Sequence, residues 1–443
     1  MNRIDKADLA RRPVLALAGC VMLSALLCIG QIRAATGLIA ATLFAFLLFL
    51  LWASSENNVF AVLLYFLPWS PLLKLYYGGF SFFTVGLLLT CGISFLRDKG
   101  RIRVYQVVLT CVVMALTLVG KAVQGNRLAF SYAFFLAMLL LFPCVTKGSD
   151  QRLDLWLLTA FFACGIITAA LSAQQIARYP NISRFIKVDS YLTITRLSGY
   201  YGDPNFYSAH ITACLAGIQI LLSRERQRLR QLILAVLAVL LLYCGLLSAS
   251  KTFVVVTALL FFIWVPILLE RHSFGTGRLR LIIGILCAGL LVFTSTAFQE
   301  LMRIMDTRFS YASNVSELTT GRTELWISYL REFSTNIPLT LLGEGYSAVT
   351  LHGRASHNTL IQGVYQFGIL GFPLVITWLL ITLRGIYART NLRQIRWNDL
   401  LLAAIGVALP WMGLDILFFD ELFLLPVYAA IAAAYSASEL KDG

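Results

Sequence analysis

Long apolar runs alternate with short polar connections along almost the whole chain. The runs fall near 13–32, 35–53, 57–77, 80–96, 104–121, 128–145, 153–176, 204–223, 231–249, 251–269, 281–297, 357–383, 399–417 and 420–437. A helix needs about 20 apolar residues to cross the hydrocarbon core of a bilayer, and most of these runs reach that length. The pattern predicts an all-α polytopic membrane protein with about 12–14 transmembrane helices, forming a single integral membrane domain over 1–443. Pro68 and Pro71 interrupt the third run, which therefore reads as a kinked or re-entrant segment.

Two connections break the rhythm. The first outer loop covers 177–203, and a much larger extracytoplasmic loop covers 298–356, between spans 11 and 12. Inside the larger one, Leu325, Trp326, Tyr329, Leu330 and Phe333 recur at helical spacing, with Thr320 or Thr323 as the cap. This predicts an amphipathic helix that lies on the membrane or folds over a site.

Composition sharpens the picture. The chain is 59% hydrophobic and only 13% charged, so its net charge of +14 comes from few residues, and their placement decides its meaning. With the N-terminus inside, twenty-two of the 36 Lys and Arg fall on the inner side of this topology. The charge then orients the chain, both termini come out cytoplasmic, and no nucleic-acid partner is expected. The first run follows Arg3, Lys6, Arg11 and Arg12 and reads as an uncleaved anchor. The nine cysteines all lie in apolar runs without a CxxC pair, which excludes a disulfide framework or a thiolate cluster. No G-x-x-x-x-G-K-[ST] motif points to nucleotide hydrolysis. Basic residues in the outer loops run against the orienting rule: Arg178, Arg184, Lys187 and Arg196 in the first, and Arg303, Arg308, Arg322, Arg331 and Arg354 in the second. Binding an anion is one use for them, and pairing with neighbouring acids is the other.

Three helices begin at the outer surface in this topology, each behind a capping residue. Asp203 precedes Pro204, Ser250 precedes Lys251, and Ser356 precedes His357. Helix starts carry partial positive charge and free N–H groups. Clustered starts beside Arg196 and Lys251 would make a diphosphate cradle. A histidine at such a boundary can accept a proton near neutral pH, so His357 is the candidate base, with Glu344 and Asp203 as rivals. His210 reads as a packing residue and His272 as a partner of an inner helix end. His352 stands five residues before His357, which does not fit a zinc pair, and no metal site is expected. Tyr191, Tyr200, Tyr201, Phe206, Tyr207 and Tyr346 can stack on sugars or form an interfacial aromatic belt.

His357-Asn358 is followed by nine residues, then Gly368, two residues and Gly371. This spacing resembles the O-antigen ligase and O-antigen polymerase superfamily of bacterial surface-polysaccharide assembly. Arg196 and Gly199 leading into Pro204-Asn205 are similar to it as well. So are Gly321-Arg322, Leu325-Trp326, Pro338 and Gly343-Glu344-Gly345, and the likeness covers roughly 190–380. The resemblance implies a GT-C-like glycosyltransferase of the outer face of the cytoplasmic membrane, inverting, with no cofactor and no metal. Its donor would be a polyprenyl-diphosphate-linked oligosaccharide and its acceptor a glycan or lipid hydroxyl. By this likeness Arg196 holds the diphosphate, with Lys251, Arg322 or Arg354 as a further cation. His357 deprotonates the acceptor, and Tyr200, Tyr201, Asp203, Asn205, Glu344 and Asn358 line the sugar or acceptor. Relatives carry Ser-Arg where this chain has Ser250-Lys251, which keeps the charge and loses the bidentate fork. Polymerisation of repeat units, as in capsule assembly, is the leading reading. Ligation of a finished glycan to a lipid, protein or wall acceptor uses the same chemistry. A lipid-linked glycan transporter is the alternative of another class, expected to show paired broken helices and mid-membrane charges.

Overall fold

The computed structural model describes residues 6–55, 59–97, 102–125, 131–148, 154–183, 185–186, 189–191, 194–270, 321–346, 351, 353–387, 395–414 and 420–438, with 294, 299, 302, 303 and 306. The eleventh apolar run apart from Thr294, and Arg184, Lys187, His272, Arg308, Thr320 and His352, lie outside the described residues. Among these residues eight helices are long and apolar enough to cross a membrane, and five shorter apolar helices accompany them. The chain is a multi-pass membrane protein, and its described part divides into two compact units.

The first unit comprises Met1–Thr90, Leu153–Ile304 and Arg396–Val407. Helices α1 (Lys6–Arg33) and α2 (Thr36–Ser55) form a hairpin closed by Ala34 in the left-handed region. The third run is a short helix α3 (Val59–Phe66) that passes into a 3-10 turn over Leu67–Leu72. Pro68 and Pro71 lie in that turn, as expected of residues that remove a donor and crowd the preceding carbonyl. Helix α4 (Phe82–Arg97) begins in this unit. Helix α7 (Leu155–Ile176) lies against α3 so closely that a Cβ at Gly165 would overlap the Tyr65 carbonyl. In sequence, α5 (Val104–Gln124) and α6 (Ser131–Gly148) come between α4 and α7 and belong to the second unit.

After a single turn α8 (Pro180–Ser183), β1 (Asp189–Tyr191) and β2 (Ile194–Arg196) pair antiparallel, with Asp189 opposite Arg196. The all-helical expectation did not contain this hairpin; β-branched Ile194 and Thr195 suit a pleated backbone. Helices α9 (Pro204–Leu222), α10 (Arg228–Leu247) and α11 (Lys251–Glu270) follow. Helix α9 is buried along almost its whole length, on faces rich in alanine, glycine and other small residues that admit close neighbours. Gly406 of α15 (Trp397–Trp411) meets it near Ala216, and Thr212 Oγ1 donates to Gly406 O at 2.9 Å. At the far end of α9, Arg224 pairs with buried Asp399, and the Trp264 indole donates to Gln219 O at 2.9 Å.

The second unit comprises Cys91–Arg152, Met305–Ile395 and Ala408–Gly443. Besides α5 and α6 it contains α12 (Arg322–Thr335), α13 (Ile337–Leu342), α14 (Thr359–Tyr387), the end of α15 (Trp397–Trp411) and α16 (Leu424–Ser438). An aromatic stack fills its centre, with the rings of Phe135 and Tyr346 at 4.5 Å and those of Phe135 and Phe367 at 5.5 Å.

Helix α14 is broken at Gly368, whose φ of 66° and ψ of 174° leave the helical region. The carbonyls of Tyr365 and Gln366, just before the break, accept from the N–H groups of Glu344 at 2.7 Å and Gly345 at 2.8 Å. Close approach requires glycine on both sides. A Cβ at Gly368 would overlap the Leu341 carbonyl, and one at Gly120 of α5 would stand 2.8 Å from Gly343 O. Thus Gly368 of the motif is explained by local backbone geometry. Gly368→Ala should lower stability in detergent by at least about 2 kcal/mol, through strain and overlap together. Gly92→Ala in α4, where a Cβ meets nothing within 4 Å, should be close to silent. Thermal unfolding of both variants checks the pair.

Candidate functional site

The residues singled out by sequence fall in both units. Arg196, Tyr200, Tyr201, Asp203, Asn205 and Lys251 belong to the first, and Arg322, Glu344, Arg354, His357 and Asn358 to the second.

In the first unit the loop from β2 to α9 docks on the turn from α10 to α11. Leu197 N donates to Leu247 O at 2.9 Å, and Arg196 Nε to Ser248 O at 3.1 Å. Arg196 is buried, and its guanidinium bonds the last turn of α10, at the negative end of that helix. Gly199 and Gly202 take positive φ to turn the chain, and Asp203 Oδ1 accepts from Asn205 N at 2.7 Å as the cap of α9. Pro204 stands first in the helix, where a missing N–H costs nothing. Across from it, Ser250 Oγ accepts from Phe253 N at 3.3 Å and donates to Asn205 Oδ1 at 2.7 Å. The starts of α9 and α11 are therefore joined side chain to side chain. Lys251 opens α11 directly after Ser250 and is half-buried. Two of the three expected helix starts thus meet, with Arg196 and Lys251 at the same turn.

Most aromatics of this region are buried. Tyr200 is 2% exposed, its hydroxyl 2.8 Å from Ser172 Oγ, so its ring is packing rather than a sugar platform. Tyr207 and Phe206 are buried as well, and so is Tyr346 in the second unit. Tyr201 stays half-buried, with its hydroxyl 2.8 Å from Ser70 Oγ and its ring 5.0 Å from His210. His210 is fully buried, and its Nδ1 lies 2.7 Å from Phe206 O. This placement agrees with a packing role.

In the second unit the cap of α14 differs from expectation. Asn358 Oδ1 accepts from Leu360 N at 3.0 Å and Ile361 N at 3.3 Å, so Asn358 caps the helix and His357 precedes it. Ser356 instead stabilises the turn, its Oγ accepting from Asn358 N at 3.2 Å. Asparagine has a longer reach than serine, and Asn358 stands two positions closer to the helix than Ser356. His357 sits in the left-handed region with φ of 51°, uncommon for a residue with a Cβ. Its turn is held from outside. The Trp326 indole of α12 donates to Ser356 O at 2.9 Å, and the Tyr329 hydroxyl donates to Arg354 O at 2.8 Å. Gln362 Oε1 accepts from Ser356 N at 3.1 Å. The amphipathic helix therefore folds over the His357 turn. Its cap is Gly321 rather than a threonine, and Leu330 points away from the packed face. Arg354 is exposed, and Arg322 half-buried in the first turn of α12.

Glu344 is buried beside Lys121 of α5, whose side chain packs against Gly345. Burial raises its carboxyl above the ordinary carboxylate range, while the Lys121 charge opposes the rise. Sequence reasoning passed over Lys121, although a lone charge within an apolar run was visible. It also missed Trp326 and Tyr329 as a clamp, because helical spacing names a packed face and not its hydrogen-bond partners.

Comparison with protein-family models and with curated protein sequences gives no match.

Two outcomes follow from this geometry. Asn358→Ala, which leaves two helix N–H groups without their acceptor, should cost about 1 kcal/mol in thermal unfolding. For Glu344, the folded chain keeps a proton that the unfolded chain releases. The stability this carries is complete below the ordinary carboxylate range and is lost as pH rises through the raised value. Glu344→Gln should therefore gain in melting temperature on the wild type as pH rises from about 4 to about 8, and a constant difference would refute the shift.

Proposed function

We propose that this chain is a glycosyltransferase of the cytoplasmic membrane, with both termini inside and its chemistry at the outer face. Its donor is a glycan on a polyprenyl diphosphate. His357 takes the proton of an acceptor hydroxyl, and that oxygen attacks the anomeric carbon from the face opposite the diphosphate. The sugar–oxygen bond to the diphosphate breaks as the new glycosidic bond forms, so the configuration inverts and the lipid diphosphate leaves as an anion. Arg196 and Lys251 stabilise that anion. The leaving group supplies the driving force, and removal of one proton is the only acid–base step required.

The observation that carries this reading is the joined start of α9 and α11, where Ser250 bonds Asn205, Arg196 bonds Ser248 O and Lys251 opens α11. Helix starts and cations together suit a diphosphate. The held turn at His357 adds a base fixed outside a helix start. The resemblance over roughly 190–380 supports the same reaction. Repeat-unit polymerisation is the preferred outcome, with a lipid-linked oligosaccharide as both donor and acceptor.

Purified protein in vesicles, given its lipid-linked repeat alone, should yield a ladder of longer glycans. His357→Ala should lower product formation at least about 100-fold while melting like the wild type. Unchanged product would remove His357 from the reaction. Product formed only after a second acceptor is added would make the protein a ligase.

A further inference from the structure

Helices α12 and α13 carry two apolar faces. One is the packed face already described, where Tyr329, Leu339 and Tyr365 form a small core joined by Leu325 and Phe333. The other points outward. Ile327 is 51% exposed, Leu330 56%, Ile337 66% and Leu341 38%. Ile327 and Leu330 stand three apart on α12, and Ile337 and Leu341 four apart on α13, so each pair shares one stripe of its helix. Water gives such a ridge no reason to exist, and its surroundings supply one.

Helix α13 does not stand clear of the membrane helices of its unit. Its end is wedged between α5 and α14, with Leu342 O and Gly343 O against Gly120 and Leu341 O against Gly368. Gly368 is nine residues into α14, or about 13 Å along the axis from Thr359. At this level the neighbouring helices also turn apolar residues outward: Val119 and Val123 on α5, and Ile369 and Leu370 on α14. Both helices are long and apolar enough to span a bilayer. The ridge thus continues a surface that lipid must already cover.

We propose that α12 and α13 form an interfacial hairpin whose ridge, Ile327, Leu330, Ile337 and Leu341, dips into the acyl chains of the outer leaflet. The hairpin meets lipid with this ridge and the His357 turn with its opposite face. An interfacial helix lies in the membrane plane with its apolar side buried about 5–10 Å into the boundary of headgroups and acyl chains. The amphipathic helix expected from sequence either to lie on the membrane or to fold over a site then does both.

The test places a photo-crosslinking amino acid at Ile337, Leu341, Ile327 or Leu330 of the full chain, reconstituted in phosphatidylethanolamine–phosphatidylglycerol vesicles. Val119 serves as the membrane-facing reference, and exposed Ser328 of α12 as the aqueous one. After illumination, mass spectrometry of the protein reads covalent lipid adducts. Adduct yields at Ile337 and Leu341 should come within about two-fold of Val119 and exceed Ser328 at least about five-fold. Yields at the level of Ser328 would overturn the proposal, as would crosslinks to a second copy of the chain instead of lipid. Absence of adducts at Val119 would remove the bilayer from this face and overturn it as well.

Discussion

Inside a bilayer every backbone donor and acceptor needs a partner from the protein, because no water is there to supply one. The break in α14 at Gly368 meets this constraint with an unusual device. The carbonyls of Tyr365 and Gln366 are taken by the N–H groups of Glu344 and Gly345, from a segment 21 residues earlier in the chain. A helix can bend there only because this segment lies flat against it, and the segment can lie flat only where Gly120, Gly343 and Gly368 lack a Cβ. The end of α13, the burial of Glu344 and the position of Lys121 all follow from that one pairing.

The same economy governs the two groups of polar residues. In the first unit a hairpin absent from the helical pattern brings Arg196 to the end of α10 and the start of α11. The cation there answers the dipole of one helix end at Ser248, and Ser250, two residues on, joins the starts of two others through Asn205. In the second unit an amphipathic helix spends its polar tips, the Trp326 indole and the Tyr329 hydroxyl, on the backbone of the turn that carries His357. A left-handed residue with a full side chain costs about 1–3 kcal/mol, and such a turn persists only where its surroundings hold it. The indole and phenol provide that hold. The Tyr329 ring meanwhile joins the small core with Leu339 and Tyr365.

Much of the fold was legible because burial in lipid demands long apolar runs, and such runs are hard to mistake. The broken third run was legible too, since Pro68 and Pro71 have one local effect wherever they occur. Caps at Asp203 and Ser250 came out as read, because each side chain reaches only its own helix start. The cap at α14 did not: Ser356 and Asn358 both qualify, and which one bonds depends on a turn fixed by Trp326 from 30 residues away. Tyr200 was not legible for a similar reason. Composition cannot distinguish a tyrosine facing a ligand from Tyr200, whose hydroxyl finds Ser172 in the interior. The kink at Gly368 was visible as a motif but not as a bend, for its cause lies in the distant Gly343-Glu344-Gly345 segment.

The functional account divides labour between a cation that holds the leaving diphosphate and a base that removes one proton. That division is most directly tested by titrating a short polyprenyl diphosphate into the purified protein and its variants. Arg196→Gln should weaken binding at least about ten-fold, and His357→Ala should bind as the wild type does. Equal affinity for wild type and Arg196→Gln, or a loss confined to His357→Ala, would contradict the account.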